Sequence, residues 1–353
     1  MKGIRVIGIL LSAAMLVSCA ANPETVSEDT TEKRPVIIET TTEVAETETT
    51  PAELVPFEFN AHVYSATISQ RIPQEYWESF YNLCDALRAG ETTFKCSSQD
   101  AYDWCTDVGV LCSYFPAAGT RVEGRSDDGS PAFENGTGKI HYNLPVDEYV
   151  ARQADFETLV VDIINCNVES DDTEYEKALK LYLYMALNYE YKEDIDYDDN
   201  YVYHTFTTKK GVCGNFAAVY SYLLLQVGID AVHVGCFEED MCHAWTYAVI
   251  DGKGYYFDPT WALGYSINGI DYIYLDYFMM SSEERNSDGC LVYNLTADVV
   301  PEFWLNQAAL TLPATDSSYN LRDFCTFVRL DEDEKIMYYT DMSDNLREFY
   351  YGV

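Results

Sequence analysis

Apolar positions recur at helical spacing over several stretches of the chain and alternate at strand spacing over others. Pro73 followed by Gln74 to Ala89 places Tyr76, Phe80, Leu83 and Leu87 on one side, with Gly90 as a stop, and predicts a helix. Ser97 and Ser98 read as N-caps of a second helix ending before Pro116. Pro145 opens a third, reaching about Asn167. Asp171 and Asp172 cap a fourth, on which Tyr175, Leu179, Tyr182, Leu183 and Ala186 share a face behind an acidic first turn. Cys213 to Gln226 is so apolar that it predicts a buried helix, closed by Gly228. Strands are expected near 61–70 and at 139–143, 231–237, 243–250 and 255–261, with Asp251-Gly252-Lys253-Gly254 as turn residues between the last two. The segment 117–138, rich in Gly, Ser and Asp, predicts a loop, and 193–200 an acidic one. The stretches 272–285 and 320–352 carry no clear period. Helices and antiparallel strands in this order predict an α+β fold.

The first residues follow a different logic. Lys2 and Arg5 precede an apolar run, Val6 to Val17, that is too short to span a bilayer. It ends in Leu16-Val17-Ser18-Cys19, which resembles the bacterial lipoprotein box. The resemblance implies cleavage before Cys19 and acylation of Cys19, and two or more acyl chains anchor a protein stably. From Ala20 to about Pro56 the chain is Thr- and Glu-rich, with no apolar period able to bury a face, so it reads as a disordered tether. The expected organisation is a signal peptide (1–18), a tether (19–56), an N-terminal mainly helical region (57–170), a core (171–290) and a C-terminal extension (291–353). An extracytoplasmic, membrane-anchored protein at the bacterial cell surface follows.

Charge narrows the partners. The 353 residues carry 22 Lys+Arg against 59 Asp+Glu, a formal −37. Such a surface repels phosphate backbones, so nucleic acid is excluded as an expected partner. The 11 cysteines form no small disulfide framework, and many are expected to pack as small apolar residues. Cys236 and Cys242, bracketing a short turn, could bridge. A zinc site from Cys213, Cys236, Cys242 and His243 lacks a Cys-x-x-Cys pair, so no metal and no cofactor are expected.

Three elements in the order helix, strand, strand each bring one reactive group. Cys213 stands where a helix begins, and the free N–H groups and partial positive charge there favour a thiolate. The flanking glycines, Gly214 among them, would let substrate approach, and the Cys213 N–H could help hold an oxyanion. His243, opening a strand, would take the thiol proton and later deliver one to the leaving amine. Asp258, in Asp258-Pro259-Thr260-Trp261, would orient that imidazole. An Asp before Pro also commonly serves a turn. Geometry makes a demand here. A turn centred on Gly252-Lys253 would set Asp258 opposite Tyr247, four residues and about 13 Å from His243, so a bulge or another register must close the gap.

Gly211-Val212-Cys213, His243-Ala244-Trp245 and Asp258-Pro259-Thr260-Trp261 together resemble the transglutaminase-like superfamily of papain-fold enzymes. Tyr203, Phe206 and Asp276-Tyr277-Phe278 add to the likeness, which runs from about Asp171 to Arg285. It implies a Cys213 nucleophile, a His243 base and an Asp258 orienter on a papain-like core, with the Cys helix packed on a sheet bearing the other two. Tyr191, Trp245 and Trp261 are implied as packing or walls of the substrate cleft. Lys209 and Asn215 stand where the family often has Gly, and Gly254 where it often has Trp, which affects cleft shape only. The implied activity is cleavage or transfer of amide acyl groups of proteins or peptides, with hydrolysis favoured. True protein-glutamine cross-linking and a non-catalytic binding module on the same scaffold are the competing readings.

Overall fold

A computed structural model describes residues 55–124, 132–193, 201–238, 241–267, 270–289, 312–319 and 321–352. Residues 1–54, which include Cys19, the expected leader and nearly all of the expected tether, lie outside these residues, as do Cys290 and most of the acidic loop. No helix among the described residues is long and apolar enough to cross a membrane.

Near 61–67 burial alternates as a strand would, yet no ladder forms. Ser65 instead caps a single helical turn, α1 (Ala66–Ser69). Asp230 takes the hydroxyls of Ser65 (2.7 Å) and Thr67 (2.8 Å), so side-chain bonds replace sheet pairing. Helix α2 (Gln74–Ala89) ends at Gly90, whose φ of 68° is the left-handed stop expected of glycine. The single helix expected up to Pro116 is two. Ser98 caps α3 (Gln99–Cys105), and the Asp107 carboxylate then accepts from Gly109 N–H at 2.8 Å to start α4 (Val108–Tyr114). Trp77 of α2 sits at the centre of this region, its ring 5.2 Å from both Trp104 and Tyr114.

The expected loop at 117–138 contains strands as well. A sheet is built from β1 (Thr93–Lys95), β3 (Phe133–Glu134) and β4 (Thr137–Lys139), and β2 (Val122–Glu123) pairs with β5 (His141–Tyr142). Asn135-Gly136, both at positive φ, make the tight turn between β3 and β4. Helix α5 (Val146–Asn167) follows Pro145 as expected.

In α6 (Glu174–Asn188) the cap is Thr173, reciprocated by Glu176, rather than Asp171 or Asp172. Asp172 instead accepts from Lys180 at 2.6 Å. A short parallel pair, β6 (Glu190–Tyr191) and β7 (Lys210–Gly211), flanks α7 (Tyr201–Thr208), a helix the periodicity did not predict. Helix α8 (Cys213–Gln226) matches expectation, and every residue from Asn215 to Gln226 is buried. It packs on an antiparallel sheet of β8 (Ala231–Glu238), β9 (Met241–Ile250) and β10 (Lys253–Phe257), with β9 central. Thr246 of β9 donates to the Ala217 carbonyl at 2.9 Å, and Tyr220 of α8 to the Ala178 carbonyl of α6 at 2.8 Å. These contacts give the α+β, papain-like arrangement of a Cys-bearing helix on a His-bearing sheet.

Beyond it come a hairpin, β11 (Tyr265–Ile267) and β12 (Ile270–Tyr272), helix α9 (Ser282–Ser287), and a meander of β13 (Thr326–Asp331), β14 (Ile336–Thr340) and β15 (Leu346–Tyr350). The meander is tied to α6 through Glu176, whose carboxylate accepts from Lys335 at 2.8 Å and Tyr351 at 2.7 Å. Partial exposure on both faces of these strands explains why 320–352 shows no period.

Candidate active site

Cys213 is the first residue of α8 and is half-buried, so the sulfur is not sealed in the core. The preceding residue, Val212, carries no oxygen to cap the first turn. Asn215 reaches back and accepts the Val212 N–H at 2.8 Å, which fixes where the helix begins. That bond accounts for an asparagine at this position. Gly211 has a packing reason too, because a Cβ there would lie 2.7 Å from the Asn215 side chain. At Gly214 a Cβ would meet nothing within 4 Å, so space is open beside the cysteine. Lys209 takes φ 61°, the left-handed backbone that glycine adopts at least cost, and its ammonium is held by Tyr184 (2.7 Å) and Tyr189 (3.2 Å). Burial pulls that ammonium down to about 8.

The demand on the β9–β10 turn is met by a change of register. Lys253 pairs with Ile250 and Phe257 with Thr246, so the two turn residues are Asp251 and Gly252, at φ 50° and 76°. The shift carries Asp258 two positions toward His243, opposite Trp245 rather than Tyr247. The pair becomes diagonal neighbours on one face, within reach of side chains. His243 Nε2 lies 2.6 Å from Asp258 Oδ2, and both residues are buried. Asp258 also serves the turn: its Oδ1 accepts the N–H groups of Thr260 (3.0 Å) and Trp261 (3.2 Å).

A third partner was not legible in the sequence. Arg285, on α9, donates from Nη2 to the same Asp258 Oδ2 at 2.7 Å and is fully buried. Its guanidinium carbon lies 4.4 Å from the Trp245 ring centre and 4.5 Å from that of Trp261. Its position at the end of the family-like stretch was the available hint, and a lone Arg in a polar segment is no signal. Trp261 in turn stacks on His243 at 4.7 Å, nearly parallel. Trp245 is wholly buried against Arg285, so it backs the His–Asp pair from inside and does not line a cleft. Trp261 and Tyr191 are half-buried. Tyr191 pairs with Gly211 across β6–β7, two residues from Cys213, and its ring meets Phe216 edge-on.

Cys236 and Cys242 do not bridge. Cys236 stands opposite His243 and Cys242 opposite Phe237, so the two thiols point to opposite faces of the sheet. The same parity prevents both from joining His243 around one metal. Elsewhere, Glu169, Asp172 and Glu332 converge among the described residues, but Lys180 lies 2.6 Å from Asp172 and 2.9 Å from Glu332 and supplies their positive charge. Gly254 has no room for a side chain: a Cβ would strike the Tyr247 hydroxyl and the Pro313 carbonyl, which bond to each other at 3.1 Å. The C-terminal segment therefore fills the space a larger residue at 254 would need.

Burial alone would raise the Asp258 carboxyl, yet the charges of His243 and Arg285 and the bonds it accepts hold it at about 2. Glu176, also opposed by burial, is held at about 2 by Lys335, Thr173 and Tyr351. Both folded values lie below the ordinary carboxyl range near 4, so their stabilisation is complete above about pH 4 and disappears as pH falls toward about 2. Melting temperature measured from pH 5 to pH 2 is expected to fall less steeply in Asp258→Asn than in the wild type. Equal slopes would mean that Asp258 is not ionised in the folded protein.

Residues 163–259 match the family model of the transglutaminase-like superfamily. Among solved structures, a proposed cysteine protease from Cytophaga hutchinsonii is similar at 21% identity, with a TM-score of 0.24, over 30% of this chain and 37% of that one. The chain thus spans well under half the length of that protein. No curated protein matches the chain.

Proposed function

We propose that Cys213, His243 and Asp258 form a triad that cleaves amide bonds of proteins or peptides, on a core whose residues 163–259 match the transglutaminase-like superfamily. The observation that carries this is the buried 2.6 Å contact between His243 and Asp258 on the sheet against which the Cys213 helix packs. With Nε2 committed to Asp258, Nδ1 is the ring atom that would exchange a proton with Cys213. The thiolate attacks the carbonyl carbon, and the N–H groups at the mouth of α8 steady the oxyanion. The imidazolium then protonates the departing amine as the C–N bond breaks, leaving a thioester on Cys213. Water, deprotonated by His243, attacks the thioester, and the thiol is released with a carboxylic acid. Asp258 keeps the ring oriented and balances its charge in both steps. Tyr191, Trp261 and the open space at Gly214 supply surface for the acyl chain.

Hydrolysis is preferred over amine transfer as the simpler outcome, since water needs no built acceptor site. The leader pattern and Cys19 support export and lipid anchoring, with the Thr/Glu-rich stretch as a tether and the membrane as the partner of the anchor. Mass spectrometry of protein taken from membranes and treated with an acyl-donor peptide tests both readings. The expected spectrum shows acyl mass on Cys213, absent from Cys213→Ala, and lipid mass on Cys19. Adding a primary amine separates the two acceptors: if amine incorporation outruns hydrolysis, the protein is a transglutaminase in the strict sense. If Cys213 reacts no faster than a free thiol, the scaffold is a binding module.

A further inference from the structure

Arg285 is an expensive residue to bury. Of the five N–H donors on its guanidinium, Nη2 bonds Asp258, while Nε and Nη1 are buried and meet no hydrogen-bond partner among the described residues. A further charge nearby is Asp288, whose Oδ2 lies 3.7 Å from Nη1, and Asp288 is itself paired with Arg322 from the C-terminal segment. A buried guanidinium is costly unless a charge meets it, and here Asp258 does so at 2.7 Å. The Arg285 guanidinium carbon lies over both the Trp245 and Trp261 rings, and one bond is aimed at the oxygen that also meets His243.

Resting on the triad reading above, we infer that Arg285 is a positioning residue: clamped between Trp245 and Trp261, it fixes the Asp258 carboxylate, and through it the His243 ring, for work with Cys213. The geometry needs an arginine. Two backbone N–H groups hold Oδ1, and Arg285 with His243 divides Oδ2, so the carboxylate cannot rotate without breaking a bond on each oxygen. A planar cation stacks on both indole faces, and its charge is permanent; an ammonium is a mobile point charge that stacks on neither. Trp261 touches both sides of the device, stacking on His243 and covering Arg285, so the ring and its brace share one wall. The Arg322–Asp288 pair extends the brace to the C-terminal segment, which gives that segment a part in the site.

The test uses the full chain with 15N-labelled histidine and follows two signals. One is the His243 ring N–H, identified among the five histidines by its loss in His243→Gln. The other is the pH profile of Cys213 alkylation by iodoacetamide. Arg285→Lys keeps a cation in place and is expected to fold with an unchanged circular dichroism spectrum. Its His243 signal should shift or broaden, and its alkylation should slow about 10-fold, the lower end of what outer partners of a site contribute. Millimolar guanidinium should restore both signals in Arg285→Ala. A folded Arg285→Lys with the wild-type His243 signal and alkylation profile would overturn the inference. If wild-type Cys213 is no more reactive than free cysteine, the enzymatic reading fails instead, and the His243 signal still reports whether Arg285 holds the pair.

Discussion

Replacing Asp258 by Ala is expected to cost about 3–5 kcal/mol of folding stability, the range seen when one partner is removed from a buried ion pair. The cause is what remains. Arg285 would keep its charge in a buried space between two indoles with its bond to Asp258 gone, and the Thr260 and Trp261 N–H groups would lose their acceptor. Asp258→Asn separates the contributions, because its amide oxygen can keep the two turn bonds while the charge opposite Arg285 disappears. It should therefore unfold at a temperature between those of the wild type and Asp258→Ala. Urea unfolding of the three proteins checks the order; an Ala variant as stable as the Asn variant would show that the turn bonds contribute little.

His243→Gln is expected to lower turnover of an acyl-donor peptide by roughly 10²–10⁴-fold, the range of a general base and acid working in one active site. Both proton transfers depend on this ring: thiolate formation and protonation of the leaving amine. A glutamine amide N–H can still donate to Asp258, so the buried carboxylate stays partnered and the fold should survive. Steady-state rates and alkylation of Cys213, measured beside a melting curve, check this. If turnover persists in a folded His243→Gln protein, another group supplies the proton and the triad is wrong.

Helix α8 was readable to the residue, because a run of apolar residues between Val212 and Gly228 has one economical use in a folded protein. Helices α2 and α5 were readable for the same reason, with Pro at the start of each and Gly90 ending α2. Cys213, His243 and Asp258 stood out by their place in short motifs, each near the start or end of an element. Errors gathered where two local signals compete. Asp107 could continue a helix or cap a new one, and its carboxylate did the second. Ser65 and Thr67 fit a strand until Asp230, far along the chain, took their hydroxyls. The Asp251–Lys253 stretch offered two turns one residue apart, and the difference moves every partner on β10 by two positions. The departures at 209, 215 and 254 also read differently in three dimensions. The first takes a left-handed backbone, the second bonds the helix start, and the third leaves room for Tyr247 and Pro313.

Chain order alone settles which groups exist and roughly what carries them: a thiol at a helix start, an imidazole near the start of a strand, a carboxylate just past the end of the next. Such features depend on neighbours a few residues away, and those neighbours are written beside them. Packing settles how the groups meet. The His243–Asp258 contact follows from a register that only the assembled sheet selects. Arg285 comes to the same oxygen from a helix 27 residues further on, held by indoles from two separate elements. A buried cation is stable only where distant parts of the chain have already excluded water, so no local pattern of residues can announce it.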